Sequence, residues 1–317
     1  MVLVLRDDVR LDETRQALRF FAPGLALSVI PAWDCLPYDR VSPKTEIVAR
    51  RMEALVGLSQ GGGTPVLVLT TVNALLQRLP PRAMLAAASS PIRVGERLDG
   101  EKLAAALGRT GYRRVGTVME PGEFAVRGGL IDLFPPGGDE PYRIDLFGDT
   151  VEALRRFDPL SQRTTAQVKE LMLMPVSEFL MDAESVQRFR AGYREAFGTV
   201  NDDDPLYQAI SARQMHLGME HWLPLFHERL DTLFDYLPGA PLILDHGAEE
   251  AVEERFAAIH DAFAARRVAP KGAGAMQAAP YKPLPPERLY LRADEWREQM
   301  AARPQGQLRP FGPPPGQ

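Results

Sequence analysis

The sequence predicts an α/β protein: a parallel sheet body interrupted by an inserted, largely antiparallel α+β unit. Three observations carry this. Apolar runs such as "VLVLTT" have the continuous hydrophobicity of strands buried on both faces. They alternate with amphipathic helical stretches, as right-handed βαβ units do. Between about residues 89 and 174 the alternation gives way to short strands separated by "PPGGDEP" and "GDT" at hairpin spacing. The 317 residues exceed what one hydrophobic core normally serves, so more than one domain is expected.

In the first part, "VLVL" at 2–5 is a strand, "LDETRQALRFF" at 11–21 a helix and "LALSVI" at 25–30 a second strand. Ser42 and Pro43 have the chemistry of a helix opening, with Ile47, Met52 and Leu55 on its inner stripe. After the "GGGTP" breaker come the strand "VLVLTT" and a helix over "VNALLQRL". In the insert, "GEKLAAALGRTGY" reads as a helix and strands are expected near 113–118, 124–134, 141–147 and 151–157. Beyond it, Asp182 caps "AESVQRFRAGYREAF", a helix is expected over residues 205–217, "PLILD" is a buried strand and "AEEAVEERFAAIHDAFAARR" a long helix. From "APKGAGAMQAAPYKPLPPE" the chain reads as linker, with one strand and one helical segment in "LYLRADEWREQM". The Pro/Gly-rich end is expected to be disordered unless it docks.

Composition narrows the function. Charged residues make up 25% of the chain and the formal net charge is -5, so the molecule as a whole lacks the basic surface of a non-specific nucleic-acid binder. The single cysteine, Cys35, excludes an internal disulfide and a cysteine-based zinc site, and reads as a small buried apolar residue. No signal peptide or membrane-length apolar run is visible, so a cytoplasmic location is expected. No Walker G-x-x-x-x-G-K-[ST] loop, G-x-S-x-G elbow or H-E-x-x-H occurs. "NDDDP" at 201–205 reads as helix capping. His216, His221 and His227 fit no zinc spacing, and Pro224 breaks the helical face that would align them. No catalytic residue, cofactor or metal site is expected.

The stretch "VRGGLIDLFPPGGDEPYRIDLFGD" at 126–149 is the exception to this blandness. Period-two geometry sends Tyr142, Ile144 and Leu146 to the core and Arg143, Asp145 and Phe147 to the other face. Arg127 precedes Gly128 and Gly129, a pair able to host a bulge that would bring it to the same surface. Two readings stand for this face. Either Phe147 is covered by the helix at 101–108 or another domain and Arg143 is merely solvated, or the arginines and phenylalanine form a protein-docking hot spot. Arg155, Arg156 and Arg163 add local positive charge suited to an acidic protein surface or to phosphates.

"MEPGEFAVRGGLIDLFPPGGDEPYRIDLFGDTVEALRRFDPLSQRT" at 119–164 resembles the segment shared by bacterial transcription-repair coupling factors and the excision-repair protein UvrB. "PAWDCLPYDRVSPKTEIVARRMEAL" and "GMEHWLPLFHERLDTLFDYLP" resemble the coupling factors specifically. The resemblance implies a domain 1A at 1–88, an inserted domain 2 at 89–174, a domain 1B at 175–285 and a linker and tail at 286–317. It implies that 1A and 1B together form an incomplete P-loop-NTPase-like body. It further implies that domain 2 binds UvrA, the contact residues falling by motif on Arg127, Arg143 and Phe147, with Asp145 able to pair with a basic residue of the partner. In the family this surface is masked by an intramolecular contact with the far end of the chain, and RNA polymerase, DNA and ATP are handled by other domains. The expected role is thus non-catalytic recruitment, with no membrane partner. The alternatives are a helicase-like fragment with residual nucleotide or DNA binding, and a structural scaffold. If Arg143 and Phe147 point away from the core, truncating either weakens docking by about 2 kcal/mol with little loss of stability.

Overall fold

Val2–Leu5, buried along its whole length, forms β1 at the centre of a parallel sheet. The computed structural model describes residues 1–61, 66–200, 204–267 and 281–309; the glycine breaker at 62–65, the acidic positions 201–203, the linker at 268–280 and the tail from 310 lie outside them. Helix α1 (Asp8–Phe21) starts where the Asp7 side chain accepts from the Arg10 amide, and leads to β2 (Leu27–Ile30). Helix α2 (Thr45–Ser59) follows, then β3 (Leu67–Thr71), whose last residue caps the single turn α3 (Val72–Leu75). Helix α4 (Arg82–Ala87) completes this part.

The insert opens with β4 (Ser90–Arg93) and α5 (Gly100–Arg109). Strands β5 (Arg113–Arg114), β6 (Glu123–Arg127), β7 (Leu130–Leu133), β8 (Tyr142–Phe147), β9 (Thr150–Phe157) and β10 (Thr164–Val168) form one six-stranded sheet in sequence order. All its pairings are antiparallel except β5 with β6. The chain leaves through β11 (Glu170–Leu173), which pairs antiparallel with β4 at the point of entry. Leu103 and Leu107, one turn apart on α5, are buried in a core with Ile131, Ile144 and Leu154. Each such side chain stabilises by roughly 1.5–3 kcal/mol.

Helices α6 (Ala183–Phe197) and α7 (Pro205–Ser211) and a 3₁₀ segment at Met219–Leu225 build an aromatic-rich lobe around Phe179, Phe189, Tyr193 and Phe226. After the turn α8 (Leu233–Tyr236), the chain returns to the parallel sheet with β12 (Leu242–Leu244), crosses it with α9 (Ala248–Arg267) and ends in α10 (Ala293–Ala301) and β13 (Gln305–Gln307). The sheet order is β13-β12-β1-β3-β2, every pair parallel.

The body and the segment leaving the insert are tied by a buried ion pair. Arg51 on α2, with no side-chain exposure, donates Nε to Glu178 Oε1 at 2.6 Å and Nη1 to the Pro31 carbonyl at 2.7 Å. Trp33 Nε1 donates to the same carboxylate oxygen at 2.8 Å, and His227 Nε2 donates to the Glu178 carbonyl at 3.0 Å. The carboxylate and guanidinium are therefore both paired and hydrogen-bonded, the condition for burying charge.

Several sequence expectations shift. Helix α2 begins at Thr45, because the Ser42 hydroxyl is engaged elsewhere, accepting from the Gly218 amide at 2.9 Å and donating to Glu220 at 2.8 Å. The helix expected over 72–79 stops after one turn: the amides of Arg78 and Leu79 donate to the Leu289 and Asp231 carbonyls instead. The strand expected over 124–134 is two strands, β6 and β7, and that near 113–118 is only two residues long. The helix expected over 205–217 ends at Ser211, before Arg213 in a left-handed conformation. At the far end, β13 docks as an edge strand where loose chain was expected. No helix among the described residues is long and apolar enough to cross a membrane.

Candidate protein-docking surface

Strand register settles which side chains share a face. Gly128 and Gly129 turn the chain between β6 and β7 as a tight hairpin rather than a bulge, with Gly128 at φ +58°, a region open to glycine at little cost. Across this hairpin Arg127 stands opposite Leu130, and Leu130 stands opposite Asp145 on β8. One step up, Asp132 is opposite Arg143, and Arg143 opposite Arg155 on β9. Directly opposed residues project to the same side of an antiparallel sheet. Arg127, Leu130, Asp132, Arg143, Asp145, Phe147 and Arg155 thus belong to the face turned away from α5, while Ile144 is fully buried on the other.

That outer face is only partly open. Val118, Ala125, Phe134 and Phe157 form a small second core on the insert, separate from the cluster under α5. Arg143 lies over it, its guanidinium carbon 4.7 Å from the Phe157 ring centre, and binds Asp132 in bidentate fashion at 2.7 and 2.8 Å. The Arg143 side chain is 18% exposed and that of Asp132 4%. The hydrogen-bonded Asp132 carboxylate, outweighing the cost of burial, raises the pKa of the Arg143 guanidinium above its ordinary value. Asp145 is also buried and pairs with Arg155 at 2.6 Å; its Oδ1 is buried without a hydrogen-bond partner. Asp132, Arg143, Asp145 and Arg155 therefore make a neutral ladder of alternating charge across three strands.

The four residues singled out from the sequence divide in two. Arg127 and Phe147 reach solvent, Phe147 with 79% of its surface exposed and Arg127 with Nη2 donating to the Gly116 carbonyl at 2.7 Å. Arg143 and Asp145 are built into the ladder beneath. The reading in which Phe147 is covered and Arg143 solvated fails on both counts, and the expectation that Arg143 points clear of packed structure is corrected by its contacts with Asp132 and Phe157. Leu130, Asp132 and Arg155 complete the arrangement. Leu130 and Asp132 went unremarked because the double glycine left the register of β7 open; alternation along β9 was the available signal for Arg155. Arg156 points to the opposite face, 5.4 Å from the Tyr142 ring centre, so the basic residues at 155 and 156 do not add up to one patch.

The other candidates stay apart. His221 and His227 are buried at 2% and 8% exposure, His221 stacked on Tyr38 and His227 held by the Glu178 carbonyl. Asp204 caps α7 and binds Lys282 at 2.9 Å. Cys35 is half-buried, and burial first, then the nearby Glu220, pushes its thiol up to about 12, far from a reactive thiolate. Among the described residues no group of three or more His, Cys, Asp or Glu is placed to hold a metal ion.

Comparison with known proteins places this sheet. Residues 91–179, which include all six of its strands, match the family described as the UvrB interaction domain. Transcription-repair-coupling factors align with most of the chain. That of Escherichia coli is 38% identical over 87% of the chain and 23% of its own length. That of Haemophilus influenzae is 37% identical over 92% of the chain and 25% of its own, and that of Myxococcus xanthus 39% over 77% and 21%. The chain spans about a quarter of the length of these relatives. It is therefore a homologue, over most of its length, of the transcription-repair-coupling factors, and the sheet bearing Arg127 and Phe147 lies within the segment that matches the family described as the UvrB interaction domain.

Proposed function

We propose that this chain is a non-catalytic recruitment module that docks the nucleotide-excision repair protein UvrA on the outer face of its inserted sheet, and so links stalled transcription to DNA repair. The observation that carries the reading is Phe147, 79% exposed on the same face as the solvent-reaching Arg127, in a segment that matches the family described as the UvrB interaction domain. A large rigid apolar side chain and a guanidinium on one exposed face are the composition of a binding hot spot. In this reading Arg127 and Phe147 touch UvrA, while Arg143 and Asp145 act from below by fixing β8 against β7 and β9. The parallel sheet with β12 and β13 at one edge serves as an incomplete P-loop-NTPase-like body. Masking of the docking face by another part of the whole protein, and dealings with RNA polymerase, DNA and ATP, belong to sequence outside the quarter matched here. The test is titration of UvrA against the chain and its Phe147→Ala and Arg127→Ala variants: the proposal expects both to bind more weakly, and unchanged affinity in both overturns it.

A further inference from the structure

Leu130 is 38% exposed, yet it belongs to neither core of the insert. Its position is defined on three sides. Arg127 stands opposite it across the hairpin, Asp145 opposite it on β8, and Phe147 lies two residues further along β8. Such diagonal neighbours sit roughly 7–8 Å apart, within reach of long side chains. The turns on either side of the pair contain Gly128, Gly129 and Gly148, all exposed, so no bulky side chain stands between Leu130 and Phe147. The two exposed apolar side chains are thus diagonal neighbours on one face, beside turns that carry no side chains at Gly128, Gly129 and Gly148.

One unpaired cation, Arg127, stands beside these two side chains. Arg127 makes no ion pair among the described residues. Arg97 bridges to Thr150, which is the partner of Phe147, and its 86% exposed side chain pairs with Asp149 at 3.8 Å. The arginines further up the sheet, Arg143 and Arg155, are already neutralised by Asp132 and Asp145.

We infer that Leu130 is a second apolar anchor of the docking surface, and that UvrA presents to it an apolar side chain, seated between Leu130 and Phe147, flanked by a carboxylate that meets Arg127. The inference rests on the docking reading and adds to it the chemistry of the recognised element. Two aliphatic or aromatic walls around an inserted side chain exclude water from it, which is the condition under which a flanking ion pair gains strength.

The experiment is titration of UvrA against the parent chain, Leu130→Ala, Leu130→Met, Phe147→Ala and Arg127→Glu, with thermal unfolding of each. Leu130→Ala is expected to weaken binding about tenfold at an unfolding midpoint close to the parent's, Leu130→Met to keep affinity within about threefold, and Arg127→Glu to weaken it at least tenfold. Leu130→Ala within about twofold of the parent, alongside a weakened Phe147→Ala, overturns the second anchor and leaves the docking reading standing. Equal losses in Leu130→Ala and Leu130→Met with lowered midpoints also overturn it, since the residue would then be holding the hairpin. Tighter binding by Arg127→Glu overturns the acidic flank. No change in any variant removes the docking reading and this inference with it.

Discussion

Arg143 grips Asp132 with two hydrogen bonds of 2.7 and 2.8 Å while its guanidinium sits over the Phe157 ring, so a residue that alternation sends outward is a structural part of the sheet. Truncating it strands a carboxylate with 4% exposure and uncovers a fully buried ring. Removing one partner of a buried pair costs more than the pair itself contributes, because the remaining charge keeps its desolvation penalty. Arg143→Ala should destabilise the chain by about 2–3 kcal/mol. Phe147→Ala, in contrast, should stay within about 0.5 kcal/mol of the parent. Urea unfolding of the two variants checks the difference. A loss of UvrA binding in Arg143→Ala then reports on the shape of the face as much as on direct contact.

Phe147 carries the opposite expectation for binding. Its exposed ring, on a rigid strand, should lose about 2 kcal/mol of affinity for UvrA on conversion to alanine, roughly a thirtyfold weakening. Calorimetric titration measures this, and Phe147→Leu, which keeps apolar area but not the ring, should fall between.

The Arg51 and Glu178 pair makes a prediction about how the body and insert hold together. With side-chain exposures of 0% and 3%, neither group can be rescued by water if the other is lost. Arg51→Ala should cost about 3–5 kcal/mol, also removing the bond to the Pro31 carbonyl. The pair replaced on both sides, Arg51→Met with Glu178→Met, should be less damaging than either single change, as read from thermal midpoints.

Adjacent buried groups give stability an unusual pH dependence. Burial lifts the Glu220 carboxyl from 4.5 to about 7, and lowers the His221 imidazole from 6.5 to about 4. Glu220 favours the fold when protonated, so its contribution is full below about 4.5 and is lost as pH rises through about 7. His221 favours the fold when neutral, so its contribution is full above about 6.5 and is lost as pH falls towards about 4. The two slopes oppose each other between those limits. Glu220→Gln should therefore match the parent near pH 4 and exceed it by on the order of 2 kcal/mol near pH 8, in urea unfolding across that range.

Much of this architecture can be read from hydrophobic pattern, and the rest depends on contacts no local pattern contains. "VLVL", "VLVLTT" and "PLILD" announce the parallel sheet because strands buried on both faces have no polar alternation to confuse. Alternation also puts Arg143, Asp145 and Phe147 on one side of β8. What it leaves open is whether that side is wet, since the covering residues Val118, Phe134 and Phe157 come from positions spread along the insert. The register of β7 is hidden by Gly128 and Gly129, and with it the Asp132 partner of Arg143. Strand β13, "QGQ", is entirely exposed and has no hydrophobic signal at all; it is a strand only because β12 offers it a parallel edge.

Gly129 links the hairpin turn to the docking face, and its substitution separates shape from side-chain chemistry. A Cβ at this position would lie 2.8 Å from the Leu146 carbonyl oxygen, while the Gly129 carbonyl accepts the Leu146 amide at 2.8 Å. The obstacle is backbone, so no rotamer change relieves it, and β8 must move away from the turn next to Phe147. Gly129→Ala should cost about 1–3 kcal/mol of stability. It should also weaken UvrA binding, although it removes no atom of Arg127, Leu130 or Phe147. The neighbouring Gly128 has no heavy atom within 4 Å of a built Cβ but sits at positive φ, so Gly128→Asn, which tolerates that conformation, should leave stability close to the parent while adding a side chain to the turn beside Leu130 and Phe147. Parallel unfolding and titration of the two variants separates the effects: binding lost at parent stability in Gly128→Asn assigns recognition to the open turn, whereas binding lost only in Gly129→Ala, together with stability, assigns it to the displaced strand carrying Phe147.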